Sequence, residues 1–164
     1  MHKILITILF SSLLAISTKD IYNNSWAIII GINKYQNVQS LDYAVNDALD
    51  IKNLLIDKFQ FPESNMTILL NEEASLMQIR KAFSNITKQA GENDRILMFY
   101  AGHGETIELP EGGEMGYLIP FDGHPDDLFT TSIPMDELKR VSLMTSAKHV
   151  LFLVDACYGG LAAT

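Results

Sequence analysis

The chain has 164 residues, 48% of them hydrophobic and 20% charged, a balance that excludes a disordered, collagen-like or disulfide-stapled polypeptide. Twelve basic against twenty acidic residues leave a net charge of −8 with no Lys/Arg cluster, which argues against a nucleic-acid partner and suits a cationic one. A single cysteine excludes internal disulfides and every multi-cysteine zinc pattern, and the length predicts one domain with room for a sizeable core.

His2 and Lys3 precede the apolar run Ile4 to Leu14, and Ala15-Ile16-Ser17 follows as a small-residue exit. This pattern predicts a secretory signal peptide over residues 1–17 and a secreted or periplasmic chain from 18 to 164. The competing reading is a buried N-terminal strand or helix. At about eleven residues the run is shorter than the roughly 20 that a membrane-crossing helix needs, so no membrane span is expected once the signal is removed.

Trp26 to Ile32 is a continuous, β-branched apolar run, the mark of a strand buried on both faces. Asn33 to Ser40 is polar and loop-like. From Leu41 the apolar residues recur at helical spacing, through Ala44, Ala48, Ile51 and Leu55, as far as Phe61-Pro62. Met66 to Leu70 predicts a second strand. Ser75 and Gln78 form a capping-box pattern that opens a second helix, stopping near Gly91. Arg95 to Tyr100 is a third strand, 105–116 a loop or small hairpin, and Tyr117 to Pro120 a short strand. After the acidic loop Asp122 to Asp127 come a short helix, Pro134 to Leu143, and a fourth buried strand, Lys148 to Asp155. Strands alternating with helices predict an α/β domain with a largely parallel sheet and helices on both faces. In such sheets function collects beyond the carboxyl ends of the strands.

Two polar residues with glycine close by stand at such ends, His103 between Gly102 and Gly104, and Cys157 two residues before Gly159. A cysteine attacks only as its thiolate and needs a base beside it, and a histidine can supply the base and later protonate a leaving amine. Flanking glycines let a substrate backbone approach and leave N–H groups to face an oxyanion. Taken singly, a strand-end cysteine is usually a small buried hydrophobe and a loop histidine merely solvated. The coincidence of the two is what points to catalysis. His124 and His149 carry no such signal.

Tyr100-Ala-Gly-His103-Gly104 and Asp155-Ala-Cys157-Tyr-Gly-Gly160 resemble the histidine and cysteine motifs of the caspase-like cysteine peptidases, which include metacaspases and bacterial relatives. The separation of 54 residues agrees with the roughly 50 of that signature. Ala27 to Tyr35 and the helix entry Leu41-x-x-Ala44-x-x-Asp47-Ala48 match as well, so the resemblance covers roughly residues 25–162. It implies a three-layer sandwich and a Cys-His dyad, with Cys157 as nucleophile, His103 as acid/base, and the N–H groups of Gly104 and Cys157 as oxyanion hole. Caspases carry glutamine where Asp155 stands and an arginine ahead of the first helix, where this chain has Leu41-Asp42-Tyr43. The local pattern is closer to metacaspases, which implies that Asp47 and Asp155 line a pocket for a basic P1 residue of a protein or peptide substrate.

No cofactor is required by this reading. Some metacaspases are switched on by calcium, for which Glu111, Glu114, Asp122, Asp126, Asp127 and Asp136 offer hard oxygen ligands, though without a fixed spacing. In the family a smaller C-terminal segment follows the cysteine and adds strands to the sheet. Here seven residues follow Cys157, so the chain is expected to be the large-subunit portion, with its C-terminal strands missing and a small-subunit segment as partner. The reading is therefore a cysteine endopeptidase cutting after Arg or Lys. The alternative is a non-catalytic caspase-like interaction module, since fold does not settle function. A different Cys-His hydrolase would need other flanking motifs.

Overall fold

The computed structural model describes residues 21–156. The signal peptide expected over residues 1–17 and the expected nucleophile Cys157 lie outside these described residues. Four strands, β1 (Ser25–Gly31), β2 (Met66–Leu70), β3 (Arg95–Ala101) and β7 (His149–Asp155), form one sheet in the order β2-β1-β3-β7, every pair parallel. A second, antiparallel sheet joins β4 (Gly104–Glu108), β5 (Glu114–Leu118) and β6 (Ile133–Pro134). The segment 105–116 is thus a hairpin, turned by Gly112 and Gly113 at φ of +90° and +93°, a backbone region that glycine enters without strain.

The layers follow from strand alternation. Ala27 and Ile29 of β1, with Leu97 and Phe99 of β3, pack beneath α1 (Ala44–Phe59) through Ala44, Ala48 and Leu55. Ile28, Ile30, Ile96 and Met98 face the other way, against α2 (Leu76–Gln89) and α4 (Met135–Met144). A short helix, α3 (Leu128–Thr131), precedes β6. Helices on both faces of a parallel sheet make the three-layer α/β sandwich expected from the sequence.

The helix boundaries have local causes. The Ser75 side chain accepts from Gln78 N–H at 3.4 Å, so the Ser75 half of the capping box is formed. Asp122 adds a second cap, its Oδ1 accepting from Leu76 N–H at 2.8 Å. Helix α1 begins at Ala44 and ends at Phe59, capped by Gln60, which turns left-handed at φ 58° just before Phe61-Pro62.

One expectation is corrected. The last strand reads as buried, yet β7 pairs only with β3 among the described residues, and its exposure alternates along the strand. Val150, Phe152 and Val154 pack toward α2 and α4, while Leu151 and Leu153 remain 50% and 38% exposed. The reason is coverage. The layer on that face is α1, and a trough of about 430 Å³ separates it from β7.

Candidate active site

Three parallel strands end level with one another, because Gly31 pairs with Ala101 and Ala101 with Asp155. The ladder runs one residue further on each side. Ile32 N–H donates to Ala101 O at 3.0 Å, and Gly102 N–H donates to Asp155 O at 3.1 Å. His103 follows at once, standing two residues beyond Ala101 just as Cys157 stands two beyond Asp155 in the sequence.

His103 is held at several points. Its backbone N–H donates to the Tyr35 hydroxyl at 2.8 Å. Its carbonyl accepts from Ile119 N–H at 3.0 Å and lies 2.8 Å from the Tyr100 hydroxyl, whose one proton is shared with Ile119 O at 2.8 Å. The ring nitrogen Nε2 is 2.8 Å from the backbone oxygen of Gln39. A carbonyl oxygen only accepts, so Nε2 carries the proton and Nδ1 is left as the basic nitrogen. The Tyr35 ring packs on the imidazole with centroids 5.0 Å apart. Burial pushes the Tyr35 hydroxyl up to about pKa 12, only partly offset by the His103 N–H and the Tyr100 hydroxyl.

Gly104 opens β4 opposite Leu118. The bond from Ile119 N–H to His103 O makes Gly104–Leu118 a non-hydrogen-bonded pair of the antiparallel ladder. The Gly104 N–H is therefore not committed to β5, as an oxyanion donor requires.

A cavity of about 290 Å³ opens at these strand ends, and His103, Gly104, Asp47 and Asp155 all line it. Asp47 arrives on the first turn of α1, whose seat is set by Gly31. A Cβ there would lie 2.6 Å from both Ala44 O and Ala48 Cβ, so only glycine lets the helix start this close to β1. Asp42 and Tyr43 form more of the wall, so three acidic residues line one cavity. Sequence reasoning missed Asp42, which precedes the helix without any periodic signal. It also missed Gln39, whose contribution is a backbone carbonyl and so has no side-chain signature. Tyr35 and Tyr100 appear in the matched motifs but reveal no role until their hydroxyls are located.

The acidic residues considered for calcium are spread out. Asp122 caps α2, Asp127 accepts from Thr130 N–H, and Asp126 lies 3.9 Å from His124. Glu114 is on β5, Glu111 beside the hairpin turn and Asp136 in the first turn of α4. Among the described residues no group of three or more His, Cys, Asp or Glu comes together to hold a metal ion. Nor is any described helix long and apolar enough to cross a membrane.

With this geometry in view, residues 24–164 match the caspase domain model. The chain belongs to the caspase domain family. Among its curated relatives are Metacaspase-7 of Arabidopsis thaliana, 30% identical over 146 residues covering 82% of this chain and 34% of that protein. Metacaspase-1 of Eremothecium gossypii is 31% identical over 153 residues, covering 85% and 32% respectively. This caspase domain thus spans about a third of the length of the curated relatives it matches. A crystal structure of a Geobacter sulfurreducens protein superposes with a TM-score of 0.69 at 22% identity, over 84% of this chain and 52% of that one, which supports the fold.

Proposed function

We propose that this caspase domain is the catalytic portion of a cysteine endopeptidase that cleaves after Arg or Lys. The observation that carries the reading is the shared cavity, in which His103 stands with Asp47 and Asp155. Cys157 provides the thiolate, which adds to the scissile carbonyl carbon. His103 takes the thiol proton and returns it to the leaving amine, and water then hydrolyses the thioester. The Gly104 N–H, free of the β5 ladder, faces the developing oxyanion together with the N–H of Cys157. Asp47 and Asp155 receive the cationic P1 side chain and reject an acidic one.

The scheme draws on no metal or cofactor, and calcium remains a regulator to be tested by addition. A small-subunit segment, of the kind that the longer relatives have room for, pairs along β7 and completes the substrate groove. The N-terminal segment 1–17 directs the chain to a secreted or periplasmic location.

Fluorogenic peptides differing only at P1 test the reading, offered to the chain alone and joined to the C-terminal segment of a metacaspase relative. Arg and Lys peptides should be cut, the Asp peptide should not, and Cys157→Ala should abolish turnover. Asp155→Asn should lower the rate on the Arg peptide roughly ten- to a hundredfold, the loss of one charge-assisted contact. Preference for Asp at P1 would overturn the specificity. No cleavage in either form would return the chain to the non-catalytic interaction module.

A further inference from the structure

The loop between β1 and α1 touches His103 at three places that belong to one short stretch. The Tyr35 hydroxyl accepts from the His103 backbone N–H at 2.8 Å. The Tyr35 ring lies against the imidazole, 5.0 Å between centroids with a 50° tilt. Gln39, four residues on, offers its backbone oxygen to Nε2 at 2.8 Å. Behind the histidine, Gly102 leaves no space for a larger residue. A Cβ there would meet the Tyr35 hydroxyl at 2.5 Å and the Tyr100 hydroxyl at 2.7 Å. The hydroxyl of Tyr35 thus fills the gap that the glycine leaves, directly beneath the peptide that carries the imidazole.

We infer that Tyr35 is a positioning residue for His103: its hydroxyl anchors the His103 peptide and its ring sets the imidazole plane, so that Nε2 meets Gln39 O and Nδ1 is the nitrogen kept for the thiol. The inference rests on the reading of His103 as the acid/base. It goes beyond that reading in assigning the tautomer to a side chain 68 residues away in sequence. The physical case is one of degrees of freedom. An imidazole on a surface turn samples several rotamers and both tautomers. One backbone anchor and one ring contact from the same side chain remove the rotation, and the carbonyl of the same loop then selects the tautomer. Burial, which pushes the Tyr35 hydroxyl up to about pKa 12, keeps it protonated and neutral across the working range of a hydrolase.

The test uses the full chain with isotope-labelled histidine, read by ring ¹⁵N shifts at about pH 8, above the ordinary histidine range. In the wild type His103 should show a single neutral tautomer with Nε2 protonated. Tyr35→Phe keeps the ring and deletes the hydroxyl, and the two ¹⁵N shifts should move toward those of a mixed population. Where peptide cleavage is measurable, kcat should fall roughly tenfold with KM little changed, since the substrate pocket is untouched. Tyr117→Phe, in the cluster against which Tyr35 packs, removes a hydroxyl that meets the Met115 sulfur and not His103, and should leave the His103 shifts as they are. Gly102→Ala, whose Cβ would crowd the Tyr35 hydroxyl most closely and the Tyr100 hydroxyl next, should also give a mixed tautomer, and it stands in as the falsifying variant should Tyr35→Phe fail to fold. Unchanged His103 shifts in a folded Tyr35→Phe or Gly102→Ala chain would overturn the assignment. The shifts need no turnover, so an inactive wild type would count against the peptidase reading while leaving this one to stand or fall alone.

Discussion

At the scale of single residues, the carboxylate at the far end of the sheet from the site shows how much one side chain can hold together. Asp94 is 3% exposed and receives four donors: Asn24 N–H at 2.9 Å and Asn24 Nδ2 at 3.1 Å on Oδ1, and Trp26 Nε1 and Gly91 N–H, both at 2.9 Å, on Oδ2. Burial raises its pKa, but the hydrogen bonds from Gly91, Trp26 and Asn24 outweigh that and hold the carboxyl below its ordinary value. A depressed folded pKa means stability that is fully present above the ordinary carboxylate range and lost as pH falls through the folded value. Asp94→Asn would turn an amide N–H toward donors. It should destabilise the fold by about 1–3 kcal/mol for each donor orphaned. Urea melts of the two chains should differ most near neutral pH and converge in acid. Equal stability at neutral pH would show that the cluster contributes nothing.

At the scale of elements, the junction of β1 with α1 links packing to the site. The helix reaches the end of the strand only because Gly31 lacks a Cβ, and Asp47 rides on that first turn. Gly31→Ala forces Ala44 and Ala48 away from the sheet, an overpacking that should cost about 1–3 kcal/mol. It should also weaken binding of an Arg P1 peptide more than it slows a reagent that attacks Cys157 directly. Thermal melting and P1 kinetics on the same preparation check both parts. An unchanged KM with a lowered melting point would uncouple the helix seat from the pocket.

At the scale of the whole molecule, the described residues leave β7 with an unpaired edge and a trough flanked by Leu54, Phe59, Leu151 and Leu153. Such an edge is a template for another strand. The 164-residue chain made by itself should therefore associate with a second copy through β7. Sedimentation should show a concentration-dependent dimer, and Leu153→Lys should shift the chain toward monomer. A wild type that stays monomeric at all concentrations would mean that residues outside 21–156 cover the edge.

What could be read from the sequence alone was local or periodic. The run Trp26 to Ile32 declared a doubly buried strand, Ser75 and Gln78 marked a helix start, and His103 and Cys157, each with glycine close by, pointed to the ends of two strands. The order of strands and helices then implied the layered α/β class, because a parallel sheet must be covered on both faces. The caspase-like motifs, four in order, were specific enough to indicate the family. What the tertiary structure decided depends on contacts between residues far apart in the chain. Burial of β7 could not be read from its apolar run, since an edge strand and a central strand of this composition look alike until their neighbours are placed. That Asp42 joins Asp47 and Asp155 at one cavity depends on where α1 sits on the sheet. Two of the partners of His103 are a tyrosine hydroxyl and a backbone carbonyl from the loop between β1 and α1, and a carbonyl looks the same on every residue. Periodicity reports which face of an element is buried, whereas a catalytic geometry is set by which elements meet, and that only the folded chain determines.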